Sequence, residues 1–142
     1  MNEIEAAIKS LEIYEKRIAE FEAQRKQDAL HPIDAMCAEV HKIAVEKGWW
    51  ENTDAERDFE KLLTPMHSEL SEAYREWRDD SGNPYYSTTA NGKPVGMTAE
   101  LADCVIRIMD WFGAIQLSLS SILRRKIEYN KTRPYRHGGK RG

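Results

Sequence analysis

The 142-residue sequence has little cysteine and no long apolar run, and both absences exclude classes of protein. Its two cysteines, Cys37 and Cys104, form no C-x-x-C motif, so neither a disulfide framework nor a thiolate zinc site is expected. No apolar stretch approaches the ~20 residues that a membrane-spanning helix needs. The N-terminal segment MNEIEAAIKSLEIYEK is acidic and amphipathic, unlike a signal peptide. We therefore expect a soluble, cytoplasmic protein.

Charge is unevenly distributed along the chain. The formal net charge is only −3, yet residues 124–142 carry eight basic residues against one acidic residue, Glu128. An acidic body with a basic C-terminal segment suggests either an anion held between the two or a basic arm that contacts a partner.

Apolar residues recur at three- and four-residue spacings along most of the chain, which predicts helices. The predicted helices span residues 3–27, 34–48, 52–79, 98–112 and 118–130. We expect Pro65 to kink or restart the third helix with Thr64 as its cap, and Thr98 to cap the fourth. Residues 79–97 are rich in glycine and proline and predict a loop. The expected fold is all-α with no sheet: a four-helix bundle in residues 31–142, with residues 1–30 as an additional N-terminal amphipathic helix.

Two acidic residues, Glu100 and Asp103, lie in the segment AELADCVIRIMDWF, which is apolar on nearly every face. Such a pattern predicts a central, buried helix with both carboxylates on one side. Two carboxylates ~4 Å apart repel by roughly 4 kcal/mol at an effective dielectric of 20, so the pair needs cations. Either Asp103 pairs locally with Arg107 while Glu100 is exposed, or a metal ion is bound.

A second acidic pair, Glu69 and Glu72, lies in HSELSEAYREW on the flank of an apolar helical stripe. If this flank faces the 98–112 helix, four carboxylates converge and require a divalent cation. Oxygen-only ligation favours Mg²⁺ or Mn²⁺. A di-iron site is disfavoured because no histidine follows a glutamate by three positions. Glu76 and Asp110 either extend this acidic face or are ordinary surface charges.

The last predicted helix provides candidates for binding phosphate. Lys126 and Asn130 are spaced i, i+4, and Arg133 follows closely enough to share their face. The closing RPYRHGGKR adds Arg136. The alternative is a frayed basic tail. Trp49 either stacks on a nucleobase or packs at a helix end.

The sequence resembles the MazG-like all-α nucleoside triphosphate pyrophosphohydrolases over roughly residues 34–141. The motifs that carry the resemblance are Glu69-x-x-Glu72 and Glu100-x-x-Asp103, in this order. The segments GKPVGMTAELADCVIRIMDWF and RRKIEYNKTRPYRHGGKR look like one bacterial branch of the family in particular.

The resemblance implies a Mg²⁺-dependent hydrolase that cleaves an NTP or dNTP between the α and β phosphates and forms a homodimer or a higher assembly. It implies that the four motif acids are catalytic metal ligands, and that Lys126, Asn130 and Arg133 hold phosphates. Two other functions stay open: a non-catalytic nucleotide sensor or adaptor, and nucleic-acid binding through the basic tail, which is the less favoured.

Overall fold

The computed structural model describes residues 3–28, 31–55, 58–79 and 87–135. Within these ranges the chain forms five helices and one short hairpin. The helices are α1 (Glu3–Asp28), α2 (Pro32–Glu46), α3 (Phe59–Asp79), α4 (Met97–Ala114) and α5 (Leu119–Lys131). The hairpin consists of β1 (Ser87–Thr88) and β2 (Pro94–Val95). The prediction of a mostly helical protein is confirmed. None of the described helices is long and apolar enough to cross a membrane.

The chain separates into two compact units. The first contains the chain up to Ala35 and from Ser118 onward, and the second is Met36–Leu117. In the first unit, α1 is a helix whose apolar side chains, such as Ile4 and Leu11, are largely exposed. Asp34 accepts hydrogen bonds from the backbone N–H of Ser120 (3.1 Å) and from the Ser118 hydroxyl (3.1 Å) at the start of α5.

The second unit is built around α3 packed against α4. Its buried apolar residues are mostly small, with one methionine among them: Cys37, Ala44, Met66, Ala73 and Cys104. Close packing is clearest at Gly113, where an added Cβ would lie 2.5 Å from the carbonyl oxygen of Cys37 and 2.5 Å from the Cβ of His41. The absent side chain therefore lets α4 approach the backbone of α2.

The hairpin corrects the prediction that the fold has no sheet. Ser87 pairs with Val95 and Thr88 with Pro94 in antiparallel register. Gly92 reverses the chain at a φ of +84°, which glycine adopts without steric cost. Part of the predicted loop is therefore a hairpin, whose strands have two residues each, too short for a periodic pattern to indicate them.

The predicted start of α3 and two predicted helix caps, Thr64 and Thr98, are wrong. Helix α3 begins at Phe59 rather than near residues 52–54, and it continues through Pro65. The Thr64 hydroxyl donates to the Glu60 carbonyl oxygen (3.0 Å) inside the helix instead of capping a new one. Gly96, whose φ is +104°, occupies the N-cap position of helix α4. The predicted cap, Thr98, has a buried hydroxyl with no hydrogen-bond partner among the described residues.

Helix α4 is also not the buried central helix that its sequence predicts. Leu101, Val105 and Ile106 are 41%, 48% and 40% exposed, whereas Cys104 is buried. Within its unit, α3 packs on one side of α4 and leaves these apolar residues at the surface. The sequence pattern correctly marks an apolar helix, but the described chain covers only part of it.

Candidate metal centre

The two acidic motifs meet where α3 packs against α4. Glu69 lies on α3, and Glu100 and Asp103 lie one turn apart on α4. One carboxylate oxygen from each of the three lies within 4.8 Å of the others. We call Glu69, Glu100 and Asp103 the carboxylate cluster. Glu69 is buried at 7% exposure, Glu100 is half-buried and Asp103 is exposed, so the cluster extends from the interior to the surface.

Glu72, the fourth predicted ligand, lies beside the carboxylate cluster. Its charge is close enough to raise the pKa of Glu100. The Ser68 hydroxyl donates to Glu72 Oε1 (3.0 Å), which fixes the direction of this half-buried side chain. All four predicted acids are therefore found in one region of the second unit, with three of them in mutual contact range.

The pKa of Glu100 is raised above its ordinary value of 4.5 by its surroundings. Burial is the largest cause, because it penalises the charged form. The negative charges of Glu72, Asp103 and Glu69 follow in that order, and a hydrogen bond with Glu69 adds to them. Burial and the neighbouring negative charges therefore act together to disfavour the ionised form of Glu100.

Arg107 contacts the carboxylate cluster, but its partner is not the predicted Asp103. Arg107 donates from Nε to Glu69 Oε1 (2.7 Å). The alternative prediction, a local Asp103–Arg107 ion pair with Glu100 exposed, is therefore wrong. Glu69 is the more buried carboxylate, and an unpaired buried charge is costly. The arginine therefore stabilises the acid that most needs compensation.

The spacing along α4 contains the signal for this contact. Glu100, Asp103 and Arg107 lie at i, i+3 and i+7, which places them on one stripe of the helix.

Asp110 continues the stripe by three residues. Its carboxylate accepts from Trp50 Nε1 (2.9 and 3.1 Å to the two oxygens), and Oδ1 lies 2.8 Å from His41 Nδ1. Sequence reasoning missed both partners of Asp110.

Trp49 lies near the carboxylate cluster through Arg107. The centre of the Trp49 ring is 6.0 Å from the Arg107 guanidinium carbon, within the range of a cation–π contact. The Trp49 side chain is 62% exposed, so most of its ring surface is available to a second contact. Both predicted roles of Trp49, stacking on a nucleobase and packing at a helix end, stay predictions.

The predicted phosphate-binding residues belong to the first unit. Lys126 and Asn130 are exposed on α5, and Arg133 is exposed just after the helix ends. Lys126 Nζ lies 5.8 Å from the centre of the Tyr129 ring. Arg136 lies outside the described residues. The role of these four residues stays a prediction.

Comparison of the chain with protein-family models, with curated proteins and with solved structures finds no match. The fold and the site thus define a mostly helical protein whose second unit brings together acids from two separate helices.

Proposed function

We propose that the chain is a Mg²⁺-dependent nucleoside triphosphate pyrophosphohydrolase of the MazG-like type. It would cleave an NTP or dNTP to the monophosphate and pyrophosphate. The observation that carries this proposal is the convergence of Glu69, Glu100 and Asp103 within 4.8 Å, from two successive helices, α3 and α4. The order and spacing of the acidic motifs supply the resemblance to the family.

The donor set fits a hard divalent cation. The carboxylate cluster offers only oxygen ligands, which suit Mg²⁺ and, as a substitute, Mn²⁺. Glu69, Glu100 and Asp103 would hold the ion, with Glu72 as a fourth ligand. When bound there, Mg²⁺ supplies charge neutralisation for the phosphates and activation of a water molecule. Burial and, after it, the neighbouring acids raise the pKa of Glu100, and a bound cation would relieve the repulsion that these acids contribute.

The remaining roles fall to groups that position the substrate. A carboxylate of the cluster or its neighbour Glu72 would orient the attacking water and accept its proton. The resemblance to the family implies a phosphate-binding role for Lys126, Asn130 and Arg133, which belong to the first unit, and lysine and arginine suit phosphate oxygens. The exposed face of Trp49 offers a surface on which a nucleobase can stack.

A homo-oligomer, at least a dimer, is part of the proposal. The apolar residues exposed on α4, namely Leu101, Val105 and Ile106, support it, because burial of apolar surface is the main driving force for association. A second copy of the chain would cover this surface. Light scattering coupled to gel filtration tests this element, and a monomeric mass at micromolar concentration would contradict it.

The decisive experiment is product analysis on the purified chain. Each common NTP and dNTP is incubated with Mg²⁺, and the products are separated by ion exchange. Asp103→Asn and Glu72→Gln are assayed beside a matched control, Glu39→Gln, which removes an exposed acid from α2. We expect monophosphate and pyrophosphate from the wild type and the control, and no turnover from the two site variants.

Other outcomes separate the alternatives. Diphosphate plus phosphate would mean that a different bond is cleaved and would contradict the proposal. Nucleotide binding without any product would favour the sensor or adaptor. Equal turnover in Asp103→Asn and in Glu39→Gln would show that the carboxylate cluster is not the catalytic site.

A further inference from the structure

Arg107 contacts the carboxylate cluster, and the proposed function leaves it without a role. Its guanidinium lies 2.7 Å from Glu69 Oε1, and Glu69 is the most buried acid of the site. Among the described residues, Glu69 is the only hydrogen-bond partner of the Arg107 side chain. The proposed metal ligands Glu69, Glu100 and Asp103 thus already include one carboxylate that is bound to a cation.

The geometry of the contact leaves most of the guanidinium free to bind something else. The bond to Glu69 uses Nε, so the two terminal Nη groups keep their donors. These groups form the planar fork that suits phosphate oxygens. The Arg107 side chain is 35% exposed, so a ligand can reach it. The exposed ring of Trp49 lies against the same guanidinium, 6.0 Å from ring centre to carbon.

The position of Arg107 has two electrostatic consequences. Its positive charge partly balances the cluster when no metal is present. The same charge repels a divalent ion bound by the same carboxylates, and this repulsion is twice that between two unit charges at the same distance. A nucleotide polyphosphate carries negative charge to this place and would reverse the effect, since it attracts the metal and the guanidinium together.

We propose that Arg107 couples metal binding to nucleotide binding at the carboxylate cluster. It keeps the affinity for free metal low, and its Nη donors bind a phosphate of the metal–nucleotide complex, so that the two ligands bind more tightly together than apart. This inference rests on the proposed function. Coupling of this kind is reciprocal: the nucleotide raises the metal affinity by the same factor by which the metal raises the nucleotide affinity.

The test measures Mn²⁺ binding by electron paramagnetic resonance, with and without an α,β-methylene triphosphate analogue that resists cleavage at the proposed bond. Wild type is compared with Arg107→Gln, which removes the charge, and Arg107→Lys, which keeps the charge but loses the fork. Arg78→Gln is the matched control, because Arg78 pairs with Asp79 at the end of α3 (3.0 Å) and its loss changes the net charge equally.

We expect Arg107→Gln to bind free Mn²⁺ about tenfold more tightly, the change that ~1.4 kcal/mol produces. It should lose most of the tightening that the analogue induces in the wild type. Arg107→Lys should bind free Mn²⁺ as weakly as the wild type and lose part of the tightening. Arg78→Gln should behave as the wild type. In turnover, Arg107→Gln should show a raised KM for the nucleotide, with a smaller change in kcat.

Weaker binding of free Mn²⁺ by Arg107→Gln would overturn the inference and show that Arg107 only holds Glu69 in place. Tightening equal to that of the wild type in Arg107→Lys would also overturn it, and this variant decides the matter if Arg107→Gln fails to fold. No Mn²⁺ binding by the wild type, with or without the analogue, would instead refute the proposed function itself.

Discussion

Replacement of Glu100 by glutamine should stabilise the metal-free protein and remove its stabilisation by metal. Burial raises the pKa of Glu100, and repulsion from the three acids beside it raises the pKa further. Because the folded-state pKa is raised, protonation of Glu100 favours the folded state below the ordinary value of 4.5. This contribution is lost as the pH rises through the folded-state value. At neutral pH the ionised carboxylate therefore destabilises the fold.

The size of the effect follows from the spacing of the charges. Two unit charges ~4 Å apart repel by roughly 4 kcal/mol at an effective dielectric of 20. Solvent screening and the charge of Arg107 reduce this, so we expect Glu100→Gln to raise the free energy of unfolding by about 1 kcal/mol. For a chain of this length, that corresponds to roughly 4 °C in Tm.

Differential scanning calorimetry at pH 7.5 with a chelator measures the stability of the metal-free protein. Addition of Mn²⁺ then measures how much the metal stabilises it. At ~100 times its Kd, a bound ion stabilises the wild type by about 2.7 kcal/mol, and Glu100→Gln should lose most of this. Glu39→Gln, which removes an exposed acid from α2, should change neither quantity. A lower Tm for Glu100→Gln in chelator, or an undiminished response to Mn²⁺, would refute the reasoning.

Three further predictions concern hydrogen bonds and packing within each unit. Asp34→Ala should cost about 1–3 kcal/mol, because it leaves the donors of Ser118 and Ser120 without their acceptor. Burial raises the pKa of Asp34, but the hydrogen bonds led by Ser120 outweigh it and lower the pKa below 3.8. The stability that Asp34 provides is therefore present above pH 3.8 and lost as the pH falls through the folded-state value. Urea unfolding from pH 7 to pH 3 checks this, and an equal pH slope in Asp34→Ala would contradict it. Gly113→Ala should cost roughly 2 kcal/mol or more, since its Cβ would lie 2.5 Å from the Cys37 carbonyl oxygen; an unchanged Tm would contradict this. Trp50→Phe should cost about 1–2 kcal/mol by removing the N–H that binds Asp110, measured by urea unfolding, and no loss would mean that this bond contributes nothing net.

Apolar periodicity predicted the helices well, because α1, α2 and α5 carry regular patterns with clear ends. The end of α2 is an example: Gly48, with a φ of +79°, follows the last helical residue closely. The burial of individual residues was less predictable, because it depends on how the helices pack against one another. The exposure of Val105 on α4 follows from how much of the helix the unit covers, and no helical pattern encodes that.

The carboxylate cluster was predictable in its residues but not in its charge balance. Glu69 itself lies on the buried face of α3, with Met66 and Ala73, and α3 packs against α4, which carries the second motif. The partner of Arg107 was predicted wrongly, because an i, i+4 pair with Asp103 is the nearest choice in sequence. Such exposed pairs contribute only about 0.3–0.5 kcal/mol, whereas the buried Glu69 gains more from the same cation.

The most direct measurement of the central claim is a crystal structure of the chain grown with Mn²⁺ and the α,β-methylene triphosphate analogue. Anomalous diffraction would locate the metal without reference to any assumed ligand. We predict a manganese peak coordinated by oxygens of Glu69, Glu100 and Asp103, with a phosphate oxygen of the analogue as a further ligand. A manganese peak elsewhere on the chain, or a nucleotide bound away from these carboxylates, would contradict the account.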